Sequence, residues 1–249
     1  LNDLEDLICW KNNNFICLKE AGPSLLDFGF IHSDATYDVA SCIDNKFVNL
    51  DLHIKRFKES CEYWNLEFID NIESIANKLL IKNNLKTAFI WMITWRGYPI
   101  SGNPRDLTAQ CHQVVYVKPY YNFLNKDKVS ICVSDQKRTN TYNQKYKNFA
   151  WQDLTKAQFY ANKKGYDSAV CLDNNDYITE GPGFNVCFLK DNIFYTPKEN
   201  VLKGITVQTK DPQYINIDLN FAYNAEKAFV CSTAGGFTEI SNFNGKIYG

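Results

Sequence analysis

No two cysteines in this chain are spaced Cys-x-x-Cys, and the three histidines, His32, His53 and His112, never fall four apart, so neither a zinc ribbon nor a helical pair of histidine ligands is written in it. No apolar run approaches the length of a membrane span, and no signal peptide is visible. There is no internal repeat and no low-complexity tract. Surplus charge is missing too. The 27 Lys and Arg against 28 Asp and Glu leave a formal charge of -1, which gives no basic field for nucleic acid and no polybasic patch for anionic lipid. What remains is a protein for a small-molecule ligand. The chain starts at Leu1 without a methionine, so a few leading residues are expected to be absent.

What is present points to an ordinary globular interior. At 249 residues and 45% hydrophobic content the chain is long enough for one large domain or two smaller ones with a real core. The nine cysteines (Cys9, Cys17, Cys42, Cys61, Cys111, Cys132, Cys171, Cys187 and Cys231) are odd in number and scattered. That usage favours reduced, mostly buried thiols and a cytoplasmic setting over a disulfide frame.

Ile54, Phe57, Cys61 and Trp64 recur at three- and four-residue steps, as do Ile72, Ile75, Ala76, Leu79 and Leu80, so both stretches read as amphipathic helices, the second with Asp70 and Asn71 as caps. Ala88 to Trp95 is rich in aromatic and branched residues and reads as a buried strand ended by Arg96-Gly97. Gln113 to Val117 is another. Pro119-Tyr120-Tyr121-Asn122 followed by Asn125-Lys126-Asp127 is the best hinge signal, which puts a domain boundary near 120–126. Beyond it, Lys128 to Val133 reads as a strand and Ala150 to Lys164 as a helix stopped by a left-handed Gly165. Short strands follow at Ser168–Leu172, Tyr177–Thr179, Asn185–Leu189, Ile193–Thr196 and Ala228–Cys231, and Asn244-Gly245 signals a hairpin. The whole reads as two mixed units of helix and strand.

Several constellations carry chemistry, each beside a plainer reading. Lys147 precedes a helix whose first turn brings Trp151, a ring able to wall a cofactor; most lysines are simply solvated, and Lys145 stands two residues away as a rival. Glu180 lies between an apolar strand and the bend Gly181-Pro182-Gly183, where backbone can approach a ligand closely or merely turn. An amine and a carboxylate of this kind are what pyridoxal phosphate needs: a Schiff-base partner for the aldehyde and a counter-ion for the pyridine nitrogen. Gly204-Ile205-Thr206 and Ser232-Thr233-Ala234-Gly235-Gly236 offer hydroxyls and amides to a phosphate. Arg56, one residue off the apolar stripe of its helix, either completes such a site or is an ordinary solvated arginine. His32, Ser33, Asp34 and Tyr37 either line a pocket or satisfy their own turn.

Taken in order, these pieces resemble the class IV, fold-type IV pyridoxal-phosphate enzymes: branched-chain aminotransferases, D-amino-acid aminotransferases, (R)-selective amine transaminases and aminodeoxychorismate lyases. The carrying runs are His32 to Val39, Leu50 to Phe57, Thr94-Trp95-Arg96-Gly97, Lys147 to Leu154, Thr179 to Val186, Gly204-Ile205-Thr206 and Ser232 to Gly236. They extend over nearly the whole chain. Lys147-Asn148-Phe149 and Glu180-Gly181-Pro182-Gly183-Phe184-Asn185 are most similar to the (R)-amine transaminase branch.

The resemblance implies an α+β, two-domain, D-amino-acid aminotransferase-like fold. A smaller N-terminal domain would cover residues 1–120 and a larger domain with a pseudo-barrel sheet residues 126–249, joined at 121–125. It implies pyridoxal 5'-phosphate held by Lys147 as a Schiff base, with Glu180 at the pyridine nitrogen. Arg56, Ile205, Thr206, Ser232 and Thr233 would hold the phosphate, and Trp151, Gly183, Phe184 and Asn185 would lie beside the ring. His32, Tyr37, Ala234 and a mobile carboxylate clamp, Arg105, would face the substrate. The implied reaction moves an amino group between an amine or amino acid and a 2-oxo acid by way of pyridoxamine phosphate, in a homodimer whose partner reaches the active-site rim. A lyase of the aminodeoxychorismate lyase type and a catalytically silent binding protein are the alternatives.

Two departures stand out. Class members continue Gly-Ile-Thr with Arg and a long helix, whereas Val207-Gln208-Thr209 here runs quickly into Lys210-Asp211-Pro212, so that either the helix is lost or the sequence is interrupted; the need of a phosphate site for a supporting element favours interruption. And where the class reads Val-Thr-Arg-Gly, Thr94-Trp95 replaces the first pair, so a tryptophan is expected to reshape the pocket.

Overall fold

The structure is a computed structural model that describes residues 4–122, 125–138 and 143–249. The chain divides into two compact units, one of residues 1–121 with 146–149, the other of residues 122–145 with 150–249.

The first unit begins with β1 (Ile8–Lys11) and β2 (Asn14–Cys17), a hairpin turned by Asn12 and Asn13, both at positive φ. Two such residues give the backbone twist that a two-residue hairpin loop requires. A short α1 (Phe28–Ile31) leads into β3 (Ala35–Ile43) and β4 (Lys46–Val48), then α2 (Leu50–Tyr63), α3 (Ile72–Lys82), β5 (Ala88–Arg96) and β6 (Cys111–Pro119). Among the described residues the sheet has six strands in the order β2-β1-β6-β5-β3-β4, every neighbour antiparallel. Both expected helices and both expected strands are present. The cap of α3 differs from expectation: Asn71 holds that position in the left-handed region and its side chain makes no capping bond.

Strand alternation sorts this sheet into two faces. Ala40, Cys42, Ile90, Met92, Val115 and Val117 point to one face and form a core with Phe57, Cys61, Ile72, Ile75 and Leu79 of the two helices. The other face carries Tyr37, Trp91 and Tyr116 as a stack, with centroids 5.6 and 5.7 Å apart and planes within 15° and 8°.

In the second unit β7 (Lys128–Lys137), α4 (Gln152–Lys164) and β8 (Ser168–Leu172) make a parallel crossover, and α4 ends as expected at Gly165 with φ +77°. There follow β9 (Glu180–Gly181), β10 (Phe184–Lys190), β11 (Ile193–Pro197), α5 (Ile205–Gln208), β12 (Gln213–Ile215), α6 (Leu219–Tyr223), β13 (Lys227–Ser232), β14 (Gly236–Phe243) and β15 (Lys246–Ile247). The sheet runs β12-β11-β10-β13-β14-β7-β8, with β9 on β10 and β15 on β14 across the Asn244-Gly245 turn. Val129, Ile131, Val186, Phe188, Val230, Ile240 and Phe243 form its core with Ile217 and Ala222. The strand expected at Tyr177–Thr179 is reduced to one bridge, Leu172 to Ile178. The Asp173 carboxylate explains the loss, since it takes the amides of Asn175 and Tyr177 at 2.8 and 3.0 Å and folds that stretch into a turn.

All nine cysteines are free, and each is buried except Cys17, which is half-buried. Among the described residues no helix is long and apolar enough to cross a membrane.

Candidate active site

Lys147 belongs to the first unit, where three bonds hold its main chain. Thr36 Oγ1 and Trp64 Nε1 donate to its carbonyl at 2.8 and 3.0 Å, and its amide donates to Ser60 Oγ at 3.3 Å. The two donors come from β3 and from the residue that follows α2, and the acceptor from the last turn of α2, so two elements fix one residue. Its Nζ lies 4.4 Å from the centre of the Tyr37 ring, whose edge meets Phe149. Tyr37, expected to face the substrate, and Lys147 are thus in contact. Lys145, the rival, is exposed and belongs to the second unit.

Arg56 is no solvated helix arginine. Its Nε and Nη2 donate to the two oxygens of Asp38 at 2.7 and 2.8 Å. Asp38 Oδ1 also lies 2.8 Å from His53 Nδ1, and because an ionised carboxylate only accepts, Nδ1 is the donor of that contact. Burial by itself would push the Asp38 carboxyl up; the charge and bonds of Arg56, with those of His53, outweigh it and hold the group well below the usual carboxylate range. Ser60 Oγ donates to the Arg56 carbonyl at 2.9 Å and so links this cluster to Lys147.

In the second unit Glu180 is buried at the start of β9. Arg138, also buried, donates from Nε and Nη2 to Glu180 Oε1 at 3.1 and 3.0 Å, from Nη1 to Asp153 Oδ2 at 2.7 Å and from Nη2 to Gln144 Oε1 at 2.8 Å. The Leu202 amide donates to Glu180 Oε2 at 3.1 Å. Burial lowers the Arg138 guanidinium, and the charges of Glu180 and then Asp153 more than reverse this, leaving it raised. Gly183 is at φ +81°, and a Cβ there would meet the Trp151 ring at 3.5 Å, so the bend and the indole adjoin. Phe184 is buried. Asn185 donates to the Leu202 carbonyl at 2.8 Å and its Oδ1 presses on Gly204, where an added Cβ would come within 1.9 Å. A side chain at 204 would force Asn185 to move. Ile205 and Thr206 open α5, Ser232 ends β13, and Thr233 and Ala234 form the half-buried turn after it.

Two expected substrate residues stand apart from these clusters within the first unit. His32 is exposed and packs on Phe28, with ring centres 4.7 Å apart. Arg105 is exposed in the loop between β5 and β6, its amide bound to Asn103 Oδ1 at 3.0 Å. Trp95 is buried, donates from Nε1 to Asp27 Oδ2 at 2.9 Å, and lies so close to Gly29 that a Cβ there would reach within 2.5 Å of the tryptophan Cβ. With Leu18, Ile93, Val114, Tyr116 and Phe149 it lines an apolar cavity of about 220 Å³.

A family model for amino-transferase class IV matches residues 35–243. The chain belongs to the class IV aminotransferases. It is 26% identical to a D-alanine aminotransferase of Staphylococcus aureus over 94% of this chain and 88% of that one. In structure it is similar to the branched-chain amino acid aminotransferase of Escherichia coli (TM-score 0.88, 20% identity, 98% of this chain and 88% of that one). It is likewise similar to the pyridoxal-phosphate form of the Thermobaculum terrenum branched-chain enzyme (TM-score 0.85, 21% identity, 98% and 88% covered). This class IV aminotransferase has the expected α+β fold and is a pyridoxal-phosphate-dependent transaminase.

The residues of this aminotransferase fit that cofactor. Ser232 Oγ is buried without a hydrogen-bond partner among the described residues, an acceptor and donor waiting for a polar group. The close approach at Gly204 leaves bare backbone at the start of the Gly-Ile-Thr loop. The long helix of the class after that loop is here the single turn α5, which still buries Ile205 and sets Val207 against Cys187 and Cys231. The chain then passes through Lys210-Asp211-Pro212 into β12.

Sequence reasoning missed Asp38, His53, Arg138 and Gln144. Asp38 and His53 stood inside the quoted runs without a role; Asp38 is the one charged residue of its strand, a signal that was there to read, whereas His53 lies on a helix rich in charged residues and had none. Arg138 carried no signal in the polar run Gln136-Lys137-Arg138.

Proposed function

We propose that this transaminase works with Lys147 as the residue that carries the cofactor and moves the proton at the substrate Cα, and with Glu180 as the counter-ion of the ring nitrogen. The observation that carries the reading is Lys147 itself, pinned by Thr36, Trp64 and Ser60 with its ammonium against Tyr37. When bound, pyridoxal phosphate supplies an electron-withdrawing ring that stabilises negative charge at the substrate Cα.

Arg56, oriented by Asp38, holds phosphate together with Ile205, Thr206, Ser232 and Thr233. Trp151, Gly183, Phe184 and Asn185 flank the ring. Tyr37 and Ala234 border the substrate, and His32 and Arg105 act from exposed positions. Among the described residues the cavity beside Phe149 has no charged side chain in its lining, which supports amino donors with an uncharged apolar group. The two compact units serve as the two domains of the class, joined at 121–125; Phe123 and Leu124 lie outside the described residues. The working form is a cytoplasmic homodimer, and the exposed apolar Leu25, Leu26, Phe30 and Ile31 supply surface suited to a subunit interface.

The test is a panel of amines, amino acids and 2-oxo acids, with both enantiomers of each chiral donor, read through the absorbance of the bound cofactor. Apolar donors convert the holoenzyme and a 2-oxo acid restores it. Release of pyruvate from aminodeoxychorismate without an acceptor would favour the lyase, and no spectral change with any donor would favour a silent binder.

A further inference from the structure

Arg138 is buried between two carboxylates, those of Glu180 and Asp153. A guanidinium on Glu180 alone would cancel the charge that the ring nitrogen needs, because an Arg–Glu pair is neutral as a whole. Asp153 changes the count. One cation and two anions leave the cluster with a single net negative charge, matching one pyridinium. The geometry supports this division: Nη1 turns to Asp153, while Nε and Nη2 go to Glu180, so that each carboxylate has its own edge of the guanidinium.

Asp153 is itself fixed, with its Oδ1 accepting the Leu154 amide at 2.7 Å in the first turn of α4. Gln144 completes the shell without adding charge. Cys171 faces the same cluster from β8. Burial, and after it the charge of Asp153, pushes its thiol up to about 12, so it stays neutral, and Asp135 on β7 acts on the same thiol.

We propose that Asp153 is a positioning residue that neutralises Arg138 and thereby leaves the Glu180 charge available to keep the cofactor ring nitrogen protonated. The proposal rests on the assignment of Glu180 to that nitrogen. Nothing in it requires Asp153 to touch the cofactor.

The experiment is nitrogen-15 NMR of holoenzyme loaded with ring-labelled pyridoxal phosphate and titrated over pH, for the wild type, Asp153→Asn, Asp153→Glu and Glu180→Gln. Removing the Asp153 charge, across the Arg138 guanidinium from Glu180, lowers the ring-nitrogen pKa in Asp153→Asn by about one unit, a tenfold fall in the protonated-to-neutral ratio. Asp153→Glu, which keeps the charge, stays at the wild-type value. Glu180→Gln shows the larger fall. Unchanged protonation in Asp153→Asn alongside a fall in Glu180→Gln overturns the role of Asp153. Unchanged protonation in both overturns the Glu180 assignment first, and the proposal with it. An equal loss in Asp153→Glu marks Asp153 as merely structural and rejects the proposal. Should Asp153→Asn fail to fold, Gln144→Glu tests the same count with the opposite sign: an added charge on the Arg138 edge raises the ring-nitrogen pKa, and no rise rejects the idea.

Discussion

Arg56 grips Asp38 with two parallel bonds of 2.7 and 2.8 Å, and Asp38 is fully buried. A planar cation matched to a carboxylate in this way is rigid before any ligand arrives, which is what the phosphate-holding role proposed for Arg56 requires.

Breaking that pair leaves a cation with its partner removed inside the protein. Asp38→Asn is expected to lose about 3 kcal/mol of stability in urea unfolding at pH 7. The pair also sets an acid limit. Because the folded Asp38 is held below its ordinary value of 3.8, its contribution is complete above that pH and drains away as pH falls further. Urea midpoints measured from pH 7 down to pH 2 should fall more steeply below about pH 4 in the wild type than in Asp38→Asn. Parallel curves would mean that Asp38 is not the group responsible.

The buried hydroxyl of Ser232 gives a prediction with two halves. Ser232→Ala should leave the stability of the cofactor-free protein within about 0.5 kcal/mol, because no partner is lost among the described residues. It should weaken pyridoxal phosphate binding by about tenfold or more, the value of one hydrogen bond to a charged group. Pyridoxal without its phosphate is the control and should bind both proteins alike. A tenfold loss for both ligands would move Ser232 away from the phosphate.

Trp95 narrows the cavity that Ile93, Val114 and Phe149 also line. Trp95→Ala should raise kcat/KM for a bulky apolar donor relative to a small one by about tenfold, within the range that pocket size alone can supply. It should also cost about 3 kcal/mol, since a buried ring leaves a void. Donor preference that stays fixed in a folded variant would place the donor elsewhere.

Much of the fold was legible because its causes are local. The three- and four-residue steps of Ile72, Ile75, Ala76, Leu79 and Leu80 are the buried stripe of α3, and Gly165 stops α4 because it alone reaches φ +77° there without strain. The β1–β2 hairpin was not legible: its strands are four residues each, and its turn relies on two asparagines rather than on glycine. The residues of the proposed site could be named from the sequence as types in order, while their electrostatic partners could not. Asp38 meets Arg56 across a strand and a helix, and Arg138 meets Glu180 from far along the chain, pairings that no periodicity announces.

The most direct measurement is peptide mass spectrometry of the protein after borohydride reduction with bound pyridoxal phosphate. The phosphopyridoxyl group should be found on Lys147 and be absent from Lys147→Ala, which also loses its cofactor absorbance band and its turnover. A label on Lys145 or on any other lysine, or a Lys147→Ala variant that still turns over normally, would contradict the account.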